Sequence, residues 1–184
     1  LTRLMSQPEE LFQAQFDLWQ DYMRLWQNTT QRMLGGAVEP VIVPDRGDRR
    51  FKDAAWNDNA LFDFIKQSYL LSSKYFLQVA SQKNGVNDKT QQKLEFYTRQ
   101  FVEMMAPSNF VATNPEVLRL TLDSRGENLL RGLQHMLEDH KKDVAAFRKQ
   151  ADMGTDGALK SFALNKLPTL ESHLAQAQEV YSKV

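Results

Sequence analysis

Pro8-Glu9-Glu10-Leu11-Phe12-Gln13-Ala14-Gln15-Phe16-Asp17-Leu18-Trp19-Gln20-Asp21-Tyr22-Met23-Arg24-Leu25-Trp26 is the stretch whose reading sets the fold class. Phe12, Phe16, Trp19, Met23, Trp26 and Met33 step by three and four, with Thr30 filling the gap, and Leu11, Leu18, Tyr22 and Leu25 widen the stripe. That is the period of a helix and not the alternation of a strand. It predicts one amphipathic helix over residues 8–34, roughly 40 Å long at 1.5 Å per residue. Gly35-Gly36 ends it, glycine being the usual residue just past a helix. Two uses of the stripe stay open. It is core, or it is a face kept for a partner or an apolar surface; if exposed, it exceeds the few hundred Å² of apolar patch that monomers tolerate.

Outward from this helix the same period recurs. Pro40 and Pro44 bracket Val41-Ile42-Val43, and Asp45-Arg46-Gly47-Asp48 reads as a turn, so residues 35–58 are expected to form a loose, extended connector. Helical spacing returns from Asn59 through Leu61, Phe62, Ile65, Tyr69 and Phe76 and stops at Asn84-Gly85. Asn87-Asp88 caps a further helix, with Gln91 in the capping-box position for Asp88 and an apolar face of Leu94, Tyr97, Phe101 and Met104, closed by Pro107. Asn114-Pro115 starts a short helix that Ser124-Arg125-Gly126 interrupts. From Glu127 to about Ala151 a heptad seam runs through Leu130, Leu133, Leu137, His140, Val144, Phe147 and Ala151. After the loop Gly154–Gly157, residues 158–183 are helical again, kinked or restarted at Pro168, with Leu167, Leu170, Leu174, Ala177 and Tyr181 as the buried face. The fold class is therefore mainly α, an irregular multi-helix assembly with a long N-terminal amphipathic helix and a C-terminal helical hairpin.

Composition narrows the chemistry. The 184 residues carry 23 Lys+Arg and 23 Asp+Glu, so net charge is zero and a general electrostatic grip on nucleic acid or anionic lipid is not expected. No apolar run approaches the ~20 residues that span a bilayer, so no integral membrane segment is expected. There is no cysteine, which excludes disulfides, thiolate metal sites and a cysteine nucleophile within this sequence. The first residue is Leu1 and no basic-then-apolar leader follows, which is read as a leader absent or removed, or as a piece of a longer chain. Of 19 aromatics, only Phe147, Phe162 and Tyr181 lie beyond residue 110, so the front and tail differ in packing chemistry. Arg46, Arg49 and Arg50 are offset by Asp45 and Asp48, and Glu138 to Asp143 mixes signs as a solvated helix face does. No phosphate loop, dinucleotide fingerprint, H-E-x-x-H or G-x-S-x-G occurs. Glu138/His140 and Glu171/His173 offer a bundle metal pair, but residues two apart on a helix point to different faces. No metal ligand or cofactor is assigned.

Several motifs occur in an order that identifies a family. Arg49-Arg50-Phe51-Lys52-Asp53-Ala54-Ala55-Trp56 is followed by Asn59-Ala60-Leu61-Phe62-Asp63-Phe64-Ile65 and Phe96-Tyr97-Thr98-Arg99-Gln100-Phe101. Then come Ala106-Pro107-Ser108-Asn109-Phe110, Thr113-Asn114-Pro115-Glu116 and Gly126-Glu127-Asn128-Leu129-Leu130-Arg131-Gly132. Over about residues 8–138 the chain resembles the N-terminal region of class I polyhydroxyalkanoate synthases. The resemblance implies enzymes that join (R)-3-hydroxyacyl groups from coenzyme A thioesters into polyester, using a Cys, an Asp and a His of a following α/β-hydrolase domain. None of those positions exists here, so no catalytic residue carries over. The tail, from Asp139-His140-Lys141-Lys142 through Leu167-Pro168-Thr169-Leu170, is similar to the last helices of a ferritin-like bundle family of unknown function.

The expected organisation is therefore an amphipathic helix (1–34), an extended connector (35–58), a synthase-like helical region (59–138) and a ferritin-like tail (139–184). The join is natural, engineered or a gene-model artefact. The expected function is that of a non-catalytic module that associates with polyhydroxyalkanoate granules or synthase subunits, a homodimer included, in the cytoplasm at the granule surface. Phe12, Phe16, Trp19, Met23 and Trp26 are its candidate contact residues. The rivals are a fragment of a complete acyltransferase and a ferritin-like metal protein.

Overall fold

A computed structural model of the chain describes residues 8–82 and 87–183. Among the described residues every regular element is helical: α1 (Pro8–Met33), α2 (Ala55–Asp58), α3 (Ala60–Ser81), α4 (Asp88–Met104), α5 (Pro115–Asp123), α6 (Glu127–Met153) and α7 (Gly157–Tyr181), with single 3-10 turns at Arg49–Phe51 and Pro107–Asn109. The Asn84-Gly85 stop lies outside the described residues. The chain divides into two compact units, Leu1–Arg119 and Leu120–Val184.

In the first unit α3 is central, and α1, α2 and α4 each pack on it. The ends of the elements follow from local chemistry. Gly35 takes φ 85°, and Gly36 N–H donates to Gln31 O (2.9 Å) while Gly35 N–H donates to Arg32 O (3.0 Å). That pattern satisfies the last carbonyls of α1. Asn59 caps α3 by accepting from Leu61 N and Phe62 N. The α4 cap is Asn87, accepting from Thr90 N at 2.9 Å, rather than Asp88. Gln91 is correspondingly free of any capping box and turns inward, its amide donating to Ala80 O (2.6 Å) and Glu95 Oε1 (2.7 Å). Asn114 caps α5 through Glu116 N and Val117 N.

The connector is not a loose arm. Gln67 Oε1 accepts from Val41 N (2.7 Å) and Ile42 N (3.2 Å), while its amide donates to Asp63 Oδ2 (2.8 Å). Asn28 Nδ2 donates to Glu39 O at 2.8 Å, tying the same segment to α1. Residues 49–58 then fold into the 3-10 turn and α2, which drive Trp56 into the core at 1% exposure. Phe51 meets Trp56 edge-on at 5.0 Å and Phe62 meets it at 5.9 Å, arrangements aromatic rings favour.

In the second unit α6 and α7 form the expected hairpin. Leu137, Val144, Ala151 and Ala163 are buried in its seam, and Leu133, His140, Phe147, Leu167, Leu170, Leu174 and Ala177 are half-buried. Leu130 and Tyr181, expected in that seam, are exposed where the two helices end. Pro168 neither restarts nor ends α7, which runs on unbroken from Gly157 to Tyr181. Position 138 lies inside α6, with no break in the helix there.

Candidate functional site

The site begins with a choice of face. α1 docks on α3 through Leu11, Ala14, Leu18, Tyr22, Leu25, Thr29 and Arg32, a row of threes and fours in which Ala14 and Leu25 are fully covered. The parallel row points the other way. Phe12 is 69% exposed, Trp19 58% and Trp26 61%, with Phe16 and Met23 also exposed. Phe12 and Phe16 stack at 6.5 Å and Phe16 and Trp19 at 6.1 Å, forming a ladder along the helix. Aromatic side chains carry roughly 150–250 Å² each, so the five residues present on the order of 600 Å² of apolar surface.

α4 repeats the pattern. Its inward row is Gln91, Glu95, Thr98 and Val102, while Leu94, Tyr97, Phe101 and Met104 are exposed. The face read from sequence as the apolar side of this helix is thus the side left uncovered in this unit. Between α1 and α4, over α3, runs a groove of about 400 Å³ that takes in Tyr22 of the docked α1 row and Phe101 of the free α4 row but none of the ladder residues. Tyr22 forms one wall. Phe101 and Met105 form the other wall, and Ile65, Ser68, Ser72 and Phe76, again at helical spacing, make the floor. Phe76 meets Phe101 edge-on at 6.3 Å. The groove was not read from sequence, where Tyr22 and Phe76 counted only as members of helical stripes and Met105 was not named. The signal available was the polar heptad Gln91-Glu95-Thr98, which marks the docked side of α4 once its covering of α3 is known.

A second cavity, about 360 Å³, lies between α1, the connector and α3. Three of its charged groups, Arg32, Asp63 and Lys66, are spent on each other. Asp63 accepts from Arg32 (2.9 Å) and Gln67 and forms an ion pair with Lys66 (2.7 Å), and Lys66 Nζ donates to Trp56 O (2.9 Å) and Asn57 Oδ1 (2.7 Å). Arg32 further donates to Asn57 O. This is a clasp on the connector. The basic turn is likewise internal: Asp48 takes Arg50 in a two-pronged ion pair (2.9 and 2.8 Å), and Arg50 also donates to Tyr69 Oη at 2.7 Å. The Arg50 hydrogen bond holds the Asp48 carboxyl below the usual carboxylate range.

No group of three or more His, Cys, Asp or Glu that could hold a metal ion occurs among the described residues. His140 is half-buried in the hairpin seam, while His135 and His173 are exposed. Glu171 pairs with Arg148 at 2.5 Å. No helix among the described residues is long and apolar enough to cross a membrane.

Comparison with known proteins gives two family matches. Residues 47–156 match the family described as poly-beta-hydroxybutyrate polymerase (PhaC) N-terminus, and residues 133–180 match a domain of unknown function, DUF4142. The two overlap over 133–156, within α6 and the loop after it. Among similar proteins, a poly(3-hydroxyalkanoate) polymerase of Methylorubrum extorquens is 44% identical over 81% of this chain and 25% of its own length. A poly(3-hydroxyalkanoate) polymerase subunit PhaC of Rhizobium etli is 34% identical over 97% of this chain and 30% of its own. The corresponding subunit of Cupriavidus necator is 37% identical over 78% of this chain and 25% of its own. The chain therefore spans about a quarter of these relatives' length. No solved structure matches it. The family model covers more than half of the sequence, in the order of motifs that begins at Arg49-Arg50-Phe51, and the chain belongs to the poly-beta-hydroxybutyrate polymerase N-terminus family.

Proposed function

We propose that this chain is the non-catalytic N-terminal module of a polyhydroxyalkanoate synthase, which holds the enzyme to the polyester granule surface in the cytoplasm, to other synthase subunits, or to both. One observation carries the reading: α1 is docked through one row, so the Phe12–Trp26 ladder is left facing outward on a helix whose position is fixed. Burying half of that ladder supplies about 7 kcal/mol at ~25 cal/mol per Å². Association costs ~4–15 kcal/mol in lost freedom and ordering. Adsorption therefore needs a partner broad enough to cover most of the row, as a hydrophobic particle or a second apolar helix face is. The chain supplies no thiol for acyl transfer. Co-sedimentation of the purified chain with polyhydroxybutyrate particles tests the reading. Trp19→Ala with Trp26→Ala should abolish it while leaving the helical circular-dichroism signal intact, and unchanged sedimentation of the folded double variant would refute it.

The share of the relatives that is covered favours a second reading beside the first. A longer polypeptide carrying this region at its front is an acyltransferase in its own right. A downstream G-x-C-x-G in the native reading frame would place the chemistry there, and thioester release by these 184 residues alone would overturn the non-catalytic assignment. The ferritin-like metal reading has no cluster of ligands to rest on among the described residues.

A further inference from the structure

The outward row of α1 keeps a coiled-coil spacing along its whole length. Phe12, Phe16, Trp19, Met23, Trp26, Thr30 and Met33 alternate steps of four and three, and all seven are exposed. Thr30 spends its hydroxyl on Trp26 O at 2.9 Å, so the row presents no free donor. A helix that lies on a broad apolar surface carries a wide apolar face, whereas this row is the narrow seam of a helix that meets another helix. The flanks of the seam are neutral. Gln13, Gln20 and Gln27 recur at seven-residue intervals on one side, all exposed. Gln15, Tyr22 and Thr29 recur in the same way on the other side, where Tyr22 and Thr29 are half-buried against α3. The area is also that of a helix pair. Aromatic side chains at roughly 150–250 Å² each give on the order of 600 Å² per copy, so two copies bury ~1,200 Å², the lower edge of stable interfaces.

We infer that α1 pairs with α1 of a second copy of this chain, antiparallel, ladder against ladder. That this face is a contact site rests on the function proposed above; that its occupant is a second copy rests on the heptad spacing and its flanks. The direction follows from the flanks. Parallel pairing sets the glutamine flank of one helix against the partner flank that is already committed to α3, while antiparallel pairing sets glutamine against glutamine. The register follows from the length of the helix. Full overlap of Pro8–Met33 with its copy sets Phe16 against the partner's Trp26, Trp19 against the partner's Met23 and Phe12 against the partner's Thr30. Gln20 then faces the partner's Gln20, and Gln13 faces the partner's Gln27. The same register brings Asp17 and Arg24, one heptad apart and both exposed, level with the partner's Arg24 and Asp17, opposite sign to opposite sign.

Sedimentation velocity of the full chain without polyester, through the micromolar range and above, tests the pairing. A monomer–dimer equilibrium is expected, and Trp19→Ala with Trp26→Ala should abolish it. The direction is read with charge. Gln13→Glu, Gln20→Glu and Gln27→Glu together, or the three changed to Lys together, place three like-charge contacts across an antiparallel pair. Each triple variant should dimerise about tenfold more weakly than the parent, and their equimolar mixture should pair at least as tightly as the parent. The register is read with thiols, which the parent lacks. Gln20→Cys should cross-link to itself through a short bis-maleimide, and Gln13→Cys should cross-link only when mixed with Gln27→Cys. A parent that stays monomeric throughout, folded triple variants that match it, or Gln13→Cys linking to itself as readily as to Gln27→Cys overturns the inference. Particle co-sedimentation is scored beside these. A dimer that does not sediment with polyester removes the granule arm of the proposed function and leaves the pairing, while a monomer that does sediment removes the pairing and leaves the granule arm.

Discussion

Leu25 and Trp26 are adjacent in the chain and opposite in environment: Leu25 has no exposed surface, and Trp26 is 61% exposed. One helix thereby separates its two jobs by 100° of rotation. Leu25→Ala removes a fully covered side chain against α3 and should cost about 2–5 kcal/mol. Trp26→Ala should change stability by under about 0.5 kcal/mol, as surface changes do, while lowering adsorption to polyester particles. Chemical denaturation of both variants, read beside sedimentation, checks the pair. Equal destabilisation by the two would remove the distinction.

The helices and their ends were legible in the sequence because their signals are local. Gly35-Gly36, Asn59 and Asn114-Pro115 stop or start helices through groups within a few residues of themselves. What periodicity does not separate is a core stripe from a stripe kept for a partner, since both are apolar rows at the same spacing. On α1 the docked row includes Thr29 and Arg32, and on α4 it includes Gln91 and Glu95, polar residues that a pattern reading turns outward. The connector was read as loose for the same reason. Its anchors, Asp63 and Gln67, are polar positions on a distant helix whose burial depends on tertiary packing.

The clasp predicts a sharp asymmetry between its members. Lys66 is 3% exposed and its charge is offset by Asp63 at 2.7 Å. Asp63→Ala leaves that ammonium, and the Arg32 guanidinium beside it, without a counter-charge, and should cost about 3–5 kcal/mol. Gln67→Leu keeps the ion pairs but strips the acceptor from Val41 N and Ile42 N, and should cost about 1–3 kcal/mol. Denaturation midpoints measure both, and faster amide exchange at residues 41 and 42 in the Gln67 variant identifies the lost bonds. Milder loss in Asp63→Ala than in Gln67→Leu would contradict the clasp.

Acid should loosen the 3-10 turn at Arg49–Phe51. Asp48 caps it by accepting from Arg50 N at 3.0 Å and pairs with the Arg50 side chain, which lowers its folded-state pKa below the unfolded value of about 3.9. A depressed carboxyl contributes stability that is complete above the unfolded pKa and is lost as pH falls through the folded one. Asp48→Ala should therefore destabilise the chain by about 1–2 kcal/mol at pH 7. The gap from the parent should close as pH falls below about 4. A gap of constant size from pH 7 to pH 2 would show that the carboxylate charge plays no part.

Between α5 and α6 the backbone takes two left-handed residues in succession, Arg125 at φ 53° and Gly126 at φ 90°. Arg125 N–H donates to Leu122 O (3.2 Å) and Gly126 N–H to Thr121 O (2.8 Å), so the turn that ends α5 requires both angles. An L side chain in this region meets a steric cost of roughly 1–2 kcal/mol that glycine avoids, partly offset by glycine's greater freedom when unfolded. Arg125→Gly should thus stabilise the chain by about 0.5–1 kcal/mol, and Gly126→Ala should destabilise it by about 1 kcal/mol, although nothing lies within 4 Å of the added methyl. Opposite shifts in thermal midpoint are expected from two substitutions at neighbouring positions. A drop in both would mean that the Arg125 side chain contributes more than its backbone angle costs.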